Sequence, residues 1–162
     1  MQNRIGIMFV CHGNICRSTM AEFVMQDIVT RAGYAPFFHI ASSATSTEEI
    51  GNDTHPGTLR MLDAHGIPHT PRRAMRLKQS DAYDYDFIIG MDNENMRGIA
   101  RLLGSATNKT RVYTLLEFAG IDRGIADPWY TGDFETTYDD VVTGCEALFL
   151  FIKRHMKEFR DS

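Results

Sequence analysis

Ile5-Gly-Ile-Met-Phe-Val10 is apolar without a break. A run of that length with no polar alternation fits a strand buried on both faces, and such strands belong to parallel sheets covered by helices. The residues after it change period. Ala21, Val24, Met25, Ile28, Val29 and Ala32 recur at helical spacing, and Gly33 stands where the helix should stop. Thr19 and Glu22 are spaced as a capping box at its start.

The alternation continues. Phe37–Ala41 reads as a second strand, Phe87–Met91 as a third and Val112–Leu116 as a fourth. Between them, Thr54-His-Pro56 can open a short helix that ends near Gly66. Asp92 can cap a helix whose Met96, Ile99, Ala100 and Leu103 share one face before Gly104. The last helix is expected from about Tyr138 to Phe159, with Tyr138, Val141, Val142, Cys145, Leu148, Phe149 and Ile152 on one stripe. The expectation is an α/β fold of three layers, with the sheet between helices. At 162 residues without repeats, linkers or low-complexity segments, the chain is expected to form one domain, residues 1–162. In such sheets ligands bind beyond the carboxyl ends of the strands.

The stretch Val10-Cys-His-Gly-Asn-Ile-Cys-Arg-Ser18 lies at that end of the first strand. It leads into a helix N-terminus, where backbone amides lack partners and the dipole favours negative charge. A short loop there makes a cradle for a tetrahedral anion. Gly13 lets the backbone curl, and Asn14 tolerates left-handed dihedrals. Arg17 supplies a planar fork suited to two phosphate oxygens. Cys11, at the loop entrance, faces the same positive field, which favours a thiolate nucleophile. Ser18 can donate to that sulfur. The nucleotide P-loop is excluded because its Gly-Lys-Ser/Thr end is missing. A zinc site is not expected from two cysteines without further ligands at metal spacing. The alternative is that two small buried thiols flank a turn; the coincidence of Gly13, Asn14, Arg17 and Ser18 counts against it.

The net charge of −4 and pI near 5.8 argue against a nucleic-acid partner by bulk electrostatics. Any bound anion needs local donors. No stretch approaches the ~20 apolar residues of a membrane span, and the N-terminus lacks a signal-peptide core. Three cysteines suit a reducing, cytoplasmic setting better than a disulfide framework.

Displacing an alkoxide or phenoxide from phosphorus calls for a proton donor. Asp127-Pro-Trp-Tyr130 is the candidate: a carboxyl on a loop stiffened by Pro128, with Trp129 and Tyr130 as aromatic walls for a phenyl ring. Asp-Pro also commonly starts ordinary turns, and nothing local links Asp127 to Cys11.

Cys-x5-Arg after a strand resembles the signature of cysteine-dependent phosphatases. The longer stretch from Val10 to Ser18 is similar to that of the low molecular weight protein tyrosine phosphatase family. The likeness continues through Ser43–Ser46, Glu49–Asn52, His65–Pro68, Tyr85–Asp92 and Asp127–Tyr130. It implies a four-stranded parallel sheet flanked by helices, a flavodoxin- or Rossmann-like phosphatase fold. It also implies hydrolysis of phosphotyrosine in proteins through a phosphocysteine on Cys11, with no metal or organic cofactor. By the same resemblance the phosphate is held by His12, Gly13, Asn14, Ile15, Cys16, Arg17 and Ser18, and Asp127 falls at the general acid. Ser42 matches a serine that supports the loop together with Asn14, Ser18 and a histidine. That histidine is a departure: Pro71-Arg72 stands near its place, and His69, lying earlier, is assigned no role. Glu48 falls where many members carry an aromatic that walls the pocket.

Cys16 is either a disulfide partner that protects Cys11, as in the family, or a packed loop residue. Cys145 is expected in the core. His12 is either a tuner of the thiolate or solvent-facing. Protein arginine phosphatases and thiol-dependent arsenate reductases share the resemblance. The first tend to have Thr where Ile15 stands and to lack the aromatic pair; the second need further cysteines. A phosphopeptide-binding module would need neither Cys11 nor Asp127. The expected partners are phosphotyrosine proteins and phosphate-like oxyanions, and the expected state is a monomer or weak homodimer.

Overall fold

The computed structural model describes residues 4–155. Four parallel strands, β1 (Ile5–Cys11), β2 (Phe38–Ala44), β3 (Phe87–Gly90) and β4 (Arg111–Thr114), lie in the order β2-β1-β3-β4. β1 is central and buried along its whole length. Its side chains divide between two cores. Ile5, Ile7, Phe9 and Cys11 join the core under α1 (Arg17–Arg31) and the last helix, whereas Met8 and Val10 join Leu77, Ile88, Ile99 and Leu103 on the opposite face. Every β1 position therefore meets protein on one side or the other, which is why no polar alternation is tolerated there.

The remaining helices are α2 (Pro56–Ala64), α3 (Asp81–Asp84), α4 (Asn93–Leu103), α5 (Pro128–Thr131) and α6 (Phe134–Arg154). Asp92 caps α4 by accepting from the Asn95 amide, as its position suggested, and His55 caps α2 through Nδ1. Gly33 ends α1 with φ of 81°. Cys145 is fully buried on α6.

Three expectations are corrected. Thr19 and Glu22 do not form a capping box. α1 begins earlier, at Arg17, directly from the loop, and Cys16 at its N-cap makes no side-chain cap. The Thr19 hydroxyl donates back to the Ile15 and Cys16 carbonyls, and Glu22 is drawn away to Ser42. The last helix starts at Phe134 rather than Tyr138, because Asp133 accepts from the Thr136 amide and caps it there. Its expected end at Phe159 lies outside the described residues. β2 runs three residues further than expected, to Ala44, because its pairing with β1 continues as far as Cys11↔Ala44.

Candidate active site

β1 ends at Cys11 and α1 begins at Arg17, so the chain reverses within a few residues. The turn depends on Asn14, the only non-glycine residue with positive φ (61°) among the described residues. That conformation is costly for a residue with a Cβ unless its surroundings hold it, and here they do. Asn14 is buried; its Nδ2 donates to Ser18 Oγ at 2.8 Å and to Ser42 Oγ at 2.9 Å. Its backbone N–H donates to Cys11 Sγ at 3.3 Å, and Ser18 Oγ lies 3.1 Å from the same sulfur. The Cys11 sulfur thus has an amide and a hydroxyl aimed at it. Such bonds stabilise a thiolate more than a thiol.

Arg17, at the first turn of α1, is 2% exposed. Nη1 donates to Asp92 Oδ2 at 2.7 Å and to the Ile125 carbonyl at 2.9 Å; Nη2 lies 3.5 Å from Asp127 Oδ2. Desolvation alone would lower the guanidinium pKa. The charge at Cys11, and then Asp92 and Asp127, outweigh it, so the net direction is upward. Arg17 Nε is buried with no hydrogen-bond partner. An unpaired donor in such a place is expensive unless an acceptor comes to it, and an oxyanion above Cys11 is an acceptor of the right sign.

Above the loop is a pocket of about 80 Å³ lined by Cys11, His12, Gly13, Ile15, Cys16, Glu48, Glu49, Asp127, Trp129 and Tyr130. Asp127, distant in sequence from Cys11, therefore shares its cavity. Asp127 caps α5 by accepting from the Trp129 amide at 3.0 Å. Trp129 and Tyr130 stand on the wall, largely exposed. His12 does not turn towards the sulfur. Its Nε2 is 2.8 Å from Glu48 Oε2, so the two form a strap on the rim.

Cys16 is a free thiol, buried at the pocket edge. Desolvation first, and then the charges of Cys11 and Asp127, push it up to about 12. Burial also pushes up the thiol of Cys145, far into the core. His69 bonds Asp63 and packs against Phe23, away from the pocket. No group of His, Cys, Asp or Glu among the described residues could hold a metal ion.

A model of the low molecular weight phosphotyrosine protein phosphatases matches residues 6–158. The chain belongs to that family. It is 36% identical over 153 residues to the low molecular weight protein-tyrosine-phosphatase YfkJ of Bacillus subtilis, covering 93% of this chain and 97% of that protein. The crystal structure of YfkJ superposes with a TM-score of 0.89, covering 94% of this chain and 97% of the other. A low molecular weight protein tyrosine phosphatase from Streptococcus pyogenes gives a TM-score of 0.79 at 37% identity, with 93% and 92% of the two chains covered. A Drosophila arginine phosphatase gives 0.81 at 25% identity, with 94% and 98% covered.

The sequence reading missed four members of the phosphatase site. The sequence marks Asp92 only as a cap, and in the structure it also holds Arg17. Glu22 accepts the Ser42 hydroxyl. Glu49 lines the pocket. His55 stacks on Phe134 at 5.1 Å and meets Trp129 edge-on at 5.6 Å, bracing the wall. Asp92 lies in the quoted Tyr85–Asp92 stretch and Glu49 in Glu49–Asn52, so those motifs carried a signal. Nothing in the local pattern marked Glu22 or His55.

Proposed function

We propose that this protein hydrolyses phosphotyrosine in proteins through a phosphocysteine intermediate. The observation that carries the reading is the shared cavity. Cys11 lies at its floor with donors on the sulfur, Arg17 beside it, and the Asp127 carboxyl on its wall next to two aromatic rings.

In the first step Cys11 Sγ attacks phosphorus in line and an S–P bond forms. The bond from phosphorus to the phenolic oxygen breaks, and Asp127 gives its proton to that oxygen. Arg17 and the loop amides hold the equatorial oxygens, where transition-state charge spreads. In the second step a water oxygen bonds to phosphorus and the S–P bond breaks. The water's proton goes to Asp127, and the departing sulfur is stabilised by Asn14 N–H and Ser18. No metal takes part in either step.

Phosphotyrosine is favoured over phosphoarginine by Ile15 in the loop and by Trp129 and Tyr130 beside the acid. The similarity to an arginine phosphatase makes that the second reading. The test is metal-free phosphate release from phosphotyrosine and phosphoarginine peptides side by side. Release from the tyrosine peptide that disappears in Cys11→Ser is expected. Preference for phosphoarginine would replace the first reading with the second.

A further inference from the structure

We infer that Arg72 is a positioning residue for Cys11: its donor-only guanidinium sets the direction of a hydrogen-bond chain that ends on the nucleophilic sulfur. The inference rests on the proposed chemistry for its meaning, though not for its test.

Arg72 stands at the position where a histidine was expected to support the loop. Its side chain is 13% exposed. Nη1 donates to the Asn14 carbonyl at 3.2 Å. Nη2 donates to Asn14 Oδ1 at 2.9 Å and to the Ser42 carbonyl at 3.4 Å. Nε lies 3.5 Å from Glu22 Oε1, the oxygen that also accepts the Ser42 hydroxyl. The Arg72 backbone N–H donates to Asp53. One planar group thus holds the backbone and the side chain of the left-handed Asn14.

The consequence lies in which way the protons point. Asn14 Oδ1 also accepts from the Met75 amide at 3.2 Å. Both partners of that oxygen, a guanidinium and a backbone N–H, can only donate. The carboxamide therefore cannot flip, and its NH₂ must face Ser18 and Ser42. Each of those hydroxyls then receives a proton from Asn14 and has its own proton left to give. Ser42 gives its proton to Glu22, and Ser18 gives its own to Cys11 Sγ. Arg72, Asn14, Ser18 and Cys11 form one chain with every donor aimed at the sulfur. A histidine in place of Arg72 can donate or accept, and it loses its charge near neutral pH. Arginine only donates and keeps its charge, so the direction holds across the working pH range.

The experiment is the pH dependence of Cys11 alkylation by iodoacetate, with the modified cysteine located by peptide mass mapping. It needs no substrate. If wild-type protein released no phosphate from tyrosine peptides, the proposed function would fail while this profile still decided the role of Arg72. Arg72→Met is expected to move the midpoint of alkylation upward by about one pH unit, because a donor to the charged sulfur is lost or misaimed. Arg72→Gln, which can donate or accept, is expected to move it the same way, and it serves if the methionine variant does not fold. A midpoint unchanged in either folded variant overturns the inference.

A plain effect of charge is separated by the Ser18→Ala background. There the chain is cut, so the shift caused by Arg72→Met should fall to less than half. A shift of full size in that background would mean that only the charge of Arg72 acts, and it too overturns the inference.

Discussion

Asn14, Arg17 and Ser18, buried beneath the floor of the pocket, are at most 2% exposed, whereas Trp129 and Tyr130 on its wall are 56% and 82% exposed. The floor is held by bonds from three separate parts of the chain: Ser42 on β2, Arg72 on the loop after α2, and Asp92 at the start of α4. The wall is a four-residue helix, α5, kept in place by the Asp127 cap and by the edge of His55. The difference matches the two tasks. Charge that develops on phosphoryl oxygens needs donors that do not reorganise. A proton donor and an aromatic wall must admit a protein-borne phenyl ring and release it, which suits a sparsely packed element.

That division can be broken from the wall side first. Asp127→Ala removes the carboxyl proposed as proton donor, together with the cap of α5 and a 3.5 Å partner of Arg17, and leaves the bonds of the floor to Ser42, Arg72 and Asp92 in place. Turnover of a phosphotyrosine peptide is expected to fall about 10²- to 10⁴-fold with little change in KM. An aryl phosphate with a good leaving group should lose much less, because its oxygen departs without a proton. Wild-type turnover of the peptide would falsify the assignment of Asp127.

The matching change on the floor is Arg17→Lys. Lysine keeps one positive charge but cannot serve the phosphate, Asp92 and the Ile125 carbonyl with a fixed fork. A fall in kcat of about 10²- to 10³-fold is expected, and unlike Asp127→Ala it should come with weaker inhibition by inorganic phosphate. Equal phosphate inhibition in the two variants would erase the distinction between floor and wall.

The anchor of the wall can be loosened from behind, at Phe134, which also packs against Ile15 and Cys16. A Cβ on Gly57 would lie 2.4 Å from the Phe134 ring, which stacks on His55, and His55 in turn meets Trp129. Gly57→Ala should therefore cost about 1–3 kcal/mol through overpacking, seen as a Tm several degrees lower. Peptide turnover should suffer more than alkylation of Cys11, which depends on the floor. Equal losses would show that the two sides are mechanically one.

The floor was far more legible in the sequence than its supports. Cys11, Gly13, Asn14, Arg17 and Ser18 are contiguous, and each has a chemical reason to stand between a buried strand and a helix. The alternation of apolar runs and helical stripes likewise carried the order of strands and helices. What failed was decided by contacts between distant segments. Glu22 has the right spacing for a cap, but the Ser42 hydroxyl and the Arg72 guanidinium compete for its carboxylate and win. Asp92 is visible as a cap because capping is local; its bond to Arg17 spans 75 residues and leaves no periodic trace. For His12 the sequence allows both tuning the sulfur and facing out, and in the structure Glu48 takes the ring to the rim.

The two loop thiols give a smaller test inside the floor itself. Cys16, ordinarily titrating near 9.0, is pushed up to about 12 by burial. Its raised value has a definite sign. Below pH 9 both folded and unfolded forms hold the proton and nothing is lost. As pH rises from about 9 towards 12, the unfolded thiol ionises while the folded one does not, so stability falls. Urea unfolding at pH 8 and pH 10.5 should show a loss that is reduced in Cys16→Ala. Alkylation of the folded protein at pH 8 should mark Cys11 and spare Cys16. Equal labelling of both would contradict the upward shift of the Cys16 thiol.

The smallest effect belongs to the rim, where the wall meets the solvent. Glu48 is exposed with His12 against it, and Glu49 lies beside it in the pocket lining. Two carboxylates here should repel acidic residues that flank a substrate tyrosine and tolerate basic ones. Exposed charges act through a high dielectric, so Glu48→Ala is expected to narrow the preference for basic over acidic phosphopeptides by only about two- to fourfold. Salt gives the sharper check. Screening shortens the reach of such charges to ~3 Å at 1 M, so the wild-type preference should collapse towards that of the variant at high ionic strength. If the preference survives there, it comes from packing against Trp129 and Tyr130, and selectivity belongs to the aromatic wall rather than to the charged rim.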